Sequence, residues 1–222
     1  MTPEKITIGI LNHDNTIYEK YVGNSLNKLQ GEFDLIIEKN KKPAQAYNDI
    51  IEKSKNRYIV FLHSDVTFSH EFIYNINKSI ERQPNFGAFC CVGVIRTLFG
   101  KVKIITSDLN KEKQVITSDS CCLIINKEHH LLFDADLFDE YHMYVEDYCT
   151  QVRLKLGLNI YTILNNWIWV QNEGEFFNNN PNPYNWFIHH SHTFIKRGAK
   201  WGKWNYYKLK LNKKWEKKIP TT

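Results

Sequence analysis

The order of apolar runs and amphipathic stretches in this chain of 222 residues predicts an α/β fold. Three observations carry the prediction. Short runs rich in β-branched and aromatic residues stand at 6–11, 33–37 and 58–62. Stretches with helical spacing separate them. The alternation of the two points to parallel strands in a doubly wound sheet.

The first strand is ITIGIL at 6–11, followed by the loop Asn12-His13-Asp14-Asn15 and a helix expected over 16–30 in spite of Gly23. FDLII at 33–37 is the second strand. Pro43, whose fixed φ suits the first turn of a helix, opens one carrying Ala44, Tyr47, Ile51 and Ser54 at helical spacing. The third strand lies in RYIVFLHSDV, residues 57–66. An unbroken apolar run of this kind suits a strand buried on both faces. It stops at His63, Ser64 and Asp65, just past the carboxyl end of the strand, where open α/β sheets bind ligands. Asp65 is thereby a candidate metal or phosphate-site residue, although Ser64-Asp65 also suits a plain turn or helix cap. Ser69 can cap a helix reaching Gln83, with Phe72, Ile73, Ile76 and Ile80 on its buried face.

The pattern then changes. Residues 86–95 are strand-like, Gly100 offers a turn and 102–105 can return as a hairpin. A further strand is expected over 119–125, then an irregular segment at 133–144 rich in aromatics and acids. Val145, Tyr148, Cys149, Val152 and Leu156 form one helical stripe that Gly157 ends. Late strands follow at 158–164 and 167–170. The Asn- and Pro-rich stretch 178–183 separates a tail, giving an expected domain over 1–177 and an extension over 178–222.

No apolar stretch approaches the roughly 20 residues that cross a bilayer, and no signal-peptide pattern precedes the first strand. The five cysteines include the pairs Cys90-Cys91 and Cys121-Cys122 but no CxxC, so zinc and disulfide scaffolds are not expected. Strand alternation should place one thiol of each pair in the core. A reduced, cytoplasmic setting fits best.

Charge is unevenly distributed. Between Thr193 and Lys218 ten Lys or Arg face one acid, Glu216, a balance of +9 that leaves −4 for the rest of a chain whose total is +5. Trp201, Trp204, Tyr206, Tyr207 and Trp215 interleave with those cations. Such a tail suits an anionic membrane surface, peripheral at the inner face of the cell membrane. Single-stranded nucleic acid is the weaker partner for it. A solvated basic helix whose aromatics dock on the domain fits the same residues.

Two acidic sites stand out: Asp65 after the third strand, and Glu146-Asp147 opening a helix, where the dipole favours a carboxylate. Capping alone accounts for either one. In order and spacing, however, they resemble something specific. PAQAYNDIIEKSKNRYIVFLHSDV, residues 43–66, resembles the core of the family 2 glycosyltransferases of GT-A type. There a helix bearing A-x-x-x-N precedes a buried strand ending in D-x-D. Ala44 and Asn48 match the helix pattern, and His63-Ser64-Asp65 takes the place of D-x-D. Phe133-Asp134 and Phe138-Asp139-Glu140, then Glu146-Asp147, Arg153 and Gly157, are similar to the later F-D-E, E-D, R and G signature. The H-x-D form is most similar to the branch related to the streptomycin-biosynthesis glycosyltransferase-like domain. The resemblance spans residues 5–165.

The resemblance implies a GT-A-like (Rossmann-like) mixed central sheet flanked by helices, with a basic aromatic C-terminal helical extension. It implies transfer of a sugar from a nucleotide-sugar donor to a saccharide or lipid-linked acceptor in cell-surface polysaccharide or glycoconjugate assembly. On that reading Asn12, Asp14, Glu38, Asn48, His63 and Asp65 contact the donor. Asp65 and His63 hold Mg²⁺ or Mn²⁺, with His190 or His192 (or His189) as a further ligand from the tail. Asp147 is the first choice of general base and Glu146 the second, and Asp119 helps place the acceptor. His63 in place of an acid, and the absence of a histidine directly after Trp167-Ile168-Trp169, depart from the pattern. They keep a non-catalytic nucleotide- or glycan-binding member of the fold open as an alternative. A nucleotidyltransferase is the third reading, opposed by the lack of a Gly-rich, basic phosphate loop near the first strand.

Overall fold

The computed structural model describes residues 4–97, 99, 101–170, 186–190 and 197–216. Seven strands, numbered in chain order, make the central sheet. In space they run β2 (Phe33–Lys39), β1 (Ile6–Asn12), β3 (Tyr58–His63), β10 (Cys122–Asn126), β5 (Phe86–Cys90), β11 (Asn159–Thr162) and β8 (Gln114–Val115). β1 is parallel to both neighbours, with Ile8 opposite Leu35 on one side and Val60 on the other. β10 runs antiparallel between β3 and β5. The sheet is therefore mixed, and the all-parallel arrangement suggested by the early alternation ends at β3.

The unbroken apolar character of β3 follows from its surroundings. Ile59 and Phe61 enter one core, Val60 and Leu62 the other, as a two-residue repeat requires. The first core takes α3 (Pro43–Lys53) and α5 (Tyr144–Lys155); the second takes α4 (Phe72–Arg82). Cys90 and Cys91 divide between the two cores. Both faces are covered, so all five thiols are buried and unbridged, and not merely one of each pair. At Gly87 in β5 a Cβ would sit 2.2 Å from Val152 Cγ1 and 2.9 Å from Leu158 Cβ. The close approach of α5 to the sheet needs a residue without one.

Several elements differ from expectation. The helix expected over 16–30 is short and broken: α1 (Asn15–Tyr18), a π-turn (Glu19–Gly23) and α2 (Asn24–Leu26). Gly23 and Asn24, both poor helix formers, stand at the change. The run at 86–95 splits at Cys91 into β5 and β6 (Val92–Arg96). β6 pairs with β7 (Val102–Thr106) as the expected hairpin, and with β9 (Thr117–Ser118), in a separate three-stranded sheet. A second small sheet joins β12 (Asn166–Val170), β13 (Trp186–His190) and β4 (Val66–Phe68), the last directly after Asp65. Helix α6 (Arg197–Trp215) closes the described chain.

Candidate active site

The carboxyl ends of β1 and β3 meet the turn that leads into β10. Leu62 pairs with Cys122, and the His63 N–H donates to the Cys121 carbonyl at 3.2 Å. The Cys121 N–H in turn donates to Asp119 Oδ1 at 2.8 Å, which folds the turn onto itself. Asp119 is thereby fixed beside the end of β3, and its charge and that of Asp65 both help raise the buried Cys121 thiol, after burial itself. His63 and Asp65 lie together, Nδ1 to Oδ1 3.9 Å, each about a quarter exposed. From the β1 side, the His13 ring meets Tyr141 edge-on at 5.1 Å.

A cavity of about 210 Å³ opens between these parts, lined by Asp119 and Ser120 on one side and by residues 141–144 and Glu146 on the other. Met143 carries the wall into α5 with φ 67 and ψ 0, a left-handed conformation uncommon outside glycine. Its carbonyl accepts the Asp147 N–H at 2.9 Å, and its side chain is buried. Such a residue costs about 1–3 kcal/mol and persists where its surroundings enforce it. It aims the first turn of α5, with Tyr144 and Glu146, into the cavity.

The two acids of that turn have different surroundings. Glu146 lines the cavity and is only 8% exposed. Burial, reinforced by the charges of Asp119 and Asp147 and opposed by Lys208, pushes its carboxyl up to about 8. A carboxyl in that range exchanges its proton near neutral pH, as a general base or acid must. Asp147, the first choice from sequence, is fully buried and does not line the cavity. Trp215 Nε1 donates to it at 2.8 Å, Gln151 Nε2 at 3.0 Å, and Lys214 Nζ lies 2.9 Å away. Neighbours on a helix project about 100° apart, and here Glu146 reaches the cavity while Asp147 does not.

The residues expected on the donor divide in the same way. Asn48 donates from Nδ2 to the Phe133 carbonyl at 2.9 Å and accepts the Phe133 N–H on Oδ1 at 2.8 Å. Both ends of the amide tie α3 to the start of the acidic segment. Glu38, buried, pairs with Lys41 at 2.7 Å and with Lys53. Burial pushes its carboxyl up, but the two lysines outweigh that and hold it below the ordinary value. Asn12, also buried, donates to Asn15 and accepts the Asp14 N–H. Asp14 caps α1 by accepting from Thr16 N at 2.8 Å and Ile17 N at 3.2 Å. Asp119 and Glu146 are the expected residues that line the cavity, while His63 and Asp65 stand at the end of β3, next to the turn that holds Asp119.

The chemistry of the donor set at Asp65 and His63 fits a divalent cation that takes one carboxylate and one imidazole from the protein and oxygen ligands from phosphate and water. Among the described residues no cluster of three or more His, Cys, Asp or Glu forms a metal-sized site. His192 lies outside the described residues, and of His189 and His190 only the backbone in β13 is described. That strand is antiparallel to β4, with His189 opposite Val66.

The sequence offered docking of α6 on the domain as one reading, without the partners that anchor it. Tyr207 and Leu211 are buried in the core that holds α5. Tyr207 donates to Asp139 at 2.5 Å, Lys203 pairs with Glu140 at 3.2 Å and Lys214 with Asp134 at 2.7 Å. The Tyr207 hydroxyl and Lys42 hold the Asp139 carboxyl down to about 2. Of the three readings of the tail, docking on the domain is the one that these residues adopt. The available signal was charge matching between the lysines and the acids at 134–147. Tyr206 and Leu209 face outward, 54% and 69% exposed. No helix of the described chain is long and apolar enough to cross a membrane.

Comparison with known proteins gives the same picture. The description of glycosyl transferase family 2 matches residues 11–122, half of the chain. The crystal structure of S. aureus TarS 1–349 superposes with TM-score 0.52 at 11% identity, over 73% of this chain and 58% of that one. The structure of GalNAc-T7 with UDP, GalNAc and Mn²⁺ superposes with TM-score 0.58 at 8% identity, over 86% of this chain and 44% of that one. TarS 1–349 in complex with UDP-GlcNAc gives 0.51 at 10% identity, over 94% and 66%. This chain spans less than two thirds of each of these structures, and the likeness is one of GT-A fold. No curated protein matches the sequence.

Proposed function

Because the chain belongs to glycosyl transferase family 2, we propose that it moves a sugar from a nucleotide-sugar donor to a hydroxyl of a saccharide or lipid-linked acceptor, with inversion. One observation supports the proposal: Glu146 and Asp119 line one cavity, and the turn that carries Asp119 is bonded to the end of β3, where His63 and Asp65 stand. The GalNAc-T7 structure with UDP and Mn²⁺ and the TarS structure in complex with UDP-GlcNAc support a nucleotide-sugar donor here.

In this reading the donor diphosphate lies against Asp65 and His63, which would also hold Mg²⁺ or Mn²⁺. The cation, when bound, offsets the negative charge that builds on the leaving diphosphate. Asp119 accepts a hydrogen bond from the acceptor and orients it. Glu146, ionised, takes the proton of the acceptor hydroxyl as its oxygen attacks the anomeric carbon and the sugar–phosphate bond breaks. The walls at 141–144 exclude water, which strengthens each charge interaction in the cavity. A place in cell-surface polysaccharide or glycoconjugate assembly follows from the acceptor class.

The test is incubation of the full chain with a panel of nucleotide sugars, Mn²⁺ and saccharide acceptors, reading released nucleoside diphosphate. Release that disappears in Glu146→Gln is expected. Nucleotide binding without release from any donor points instead to the non-catalytic binding protein. Release of pyrophosphate from a nucleoside triphosphate and a sugar phosphate points to a nucleotidyltransferase.

A further inference from the structure

Helix α6 docks where the two signature acids lie. Asp147 is fully buried, one position from Glu146, and two of its three side-chain donors come from α6: Lys214 and Trp215. Lys214 also pairs with Asp134 at 2.7 Å. Higher on the same helix, Tyr207 packs 6.4 Å, centroid to centroid, from His142, a residue of the cavity wall. Thus the last turn of α6 touches the acid behind the cavity, while its middle touches the wall of the cavity itself.

We propose that α6 completes the active site, with Lys214 and Trp215 as positioning residues that neutralise and hold Asp147 behind Glu146. The proposal rests on the reading of Glu146 as general base. A bare carboxylate at Asp147 would repel the charge that Glu146 must carry in order to accept a proton. Lys214 cancels that repulsion without entering the cavity, and the Trp215 hydrogen bond fixes which way the Asp147 carboxylate points. The groups that act on Glu146 are Asp119 from the turn before β10, Asp147 beside it on α5, and Lys208 from α6. Tyr144 feels the Glu146 charge from the same turn, and Cys149 from the next. Among the described residues, Lys208 and the bonds of Lys214 and Trp215 to Asp147 link this set to α6.

The experiment is a titration of the Glu146 carboxyl by ¹³C NMR on the full chain, assigned with Glu146→Gln, alongside the pH profile of nucleoside diphosphate release. Asp147→Asn removes the negative charge beside Glu146, leaves Lys214 paired with Asp134 alone, and should lower the Glu146 midpoint by roughly one pH unit. Lys214→Met leaves Asp147 uncompensated and should raise it. The acid limb of the pH profile should follow in each case. Trp215→Phe should reduce turnover severalfold while the midpoint moves little. Opposite shifts from two variants of one contact are not what general loosening produces. Equal midpoints in all variants, or shifts in the same direction, overturn the proposal. If Lys214→Met does not fold, the double variant with Asp147→Asn, expected near the wild-type midpoint, takes its place. Midpoints that move as expected while turnover ignores them leave the coupling standing and remove Glu146 as base. Unmoved midpoints beside an inactive Glu146→Gln do the reverse.

Discussion

The parallel amino-terminal part of the sheet answers its buried polar residues from within, whereas the segment from Asp119 to Asp147 leaves one buried acid, Glu146, without such an answer. In the first, Asn12, Glu38 and Asn48 are buried or half-buried and satisfied internally: by Asn15 and Asp14, by Lys41 and Lys53, and by the Phe133 backbone. In the second, Glu146 is buried against a cavity without a salt bridge to any described lysine or arginine, and its carboxyl is pushed up accordingly. The regular part of the fold satisfies its polar groups in order to be rigid. The irregular part leaves one costly group facing the cavity, and chemistry can use it. Glu38 and Glu146 make the contrast sharp: both are buried carboxyls, yet two lysines hold one below its ordinary value while burial lifts the other to about 8.

The largest effect that would break this comparison is at Glu146. Glu146→Gln should cut turnover by about 10²–10⁴-fold, the usual contribution of a positioned base, with nucleotide affinity by calorimetry unchanged. The same variant has a stability signature. Folded Glu146 keeps its proton up to about 8, whereas the ordinary value is 4.5. Its contribution is therefore fully present at low pH and is lost as pH rises from 4.5 through about 8. At pH 9 Glu146→Gln should be more stable to urea than the wild type, by ~2 kcal/mol or more, and equal to it at pH 4. Equal stability at both pH values would show that Glu146 is not desolvated as described.

Asp65→Ala should come next, weakening binding of a nucleoside diphosphate with Mn²⁺ by roughly tenfold or more. Unchanged affinity would place the donor elsewhere. Asn48→Ala should lower unfolding free energy by about 1–3 kcal/mol, because the Phe133 N–H and carbonyl lose their partners, with nucleotide affinity retained. A large loss of affinity in a folded protein would return Asn48 to the donor. The smallest effect is expected from Glu38→Gln, whose lysine partners are part-exposed: ~1 kcal/mol or less, and donor binding intact. A tenfold fall in donor affinity would show that the first region also contributes to binding, and the contrast would fail.

Much of the fold was legible in the sequence. The three parallel strands, α3, α4 and α5 follow from period-2 and period-3.6 patterns, and the stop at His63-Ser64-Asp65 marked the carboxyl end of β3. Of the strands that were missed, β4, β8 and β9 are two or three residues long, too short for any period to show, and β13 lies in the tail that was expected to be helical. The split at Cys91 was hidden because buried residues on both sides of a bend read as one apolar run. In the site, residue types alone identified the acids but did not order them. Glu146 and Asp147 are adjacent and chemically similar, and which one reaches the cavity depends on how Met143 turns the chain into α5.

The sequence by itself determined what could be buried: the apolar runs specify a sheet covered on both faces, and the spacing of acids along the chain specifies where charge is available. Only the tertiary structure decided which charges are answered. Lys214 and Asp147 stand 67 positions apart and meet through α6, and the Phe133 backbone reaches Asn48 across 85. Contacts at that separation depend on how the elements pack, to which a local pattern is blind, and the same packing leaves Glu146 against the cavity with its proton held to about 8.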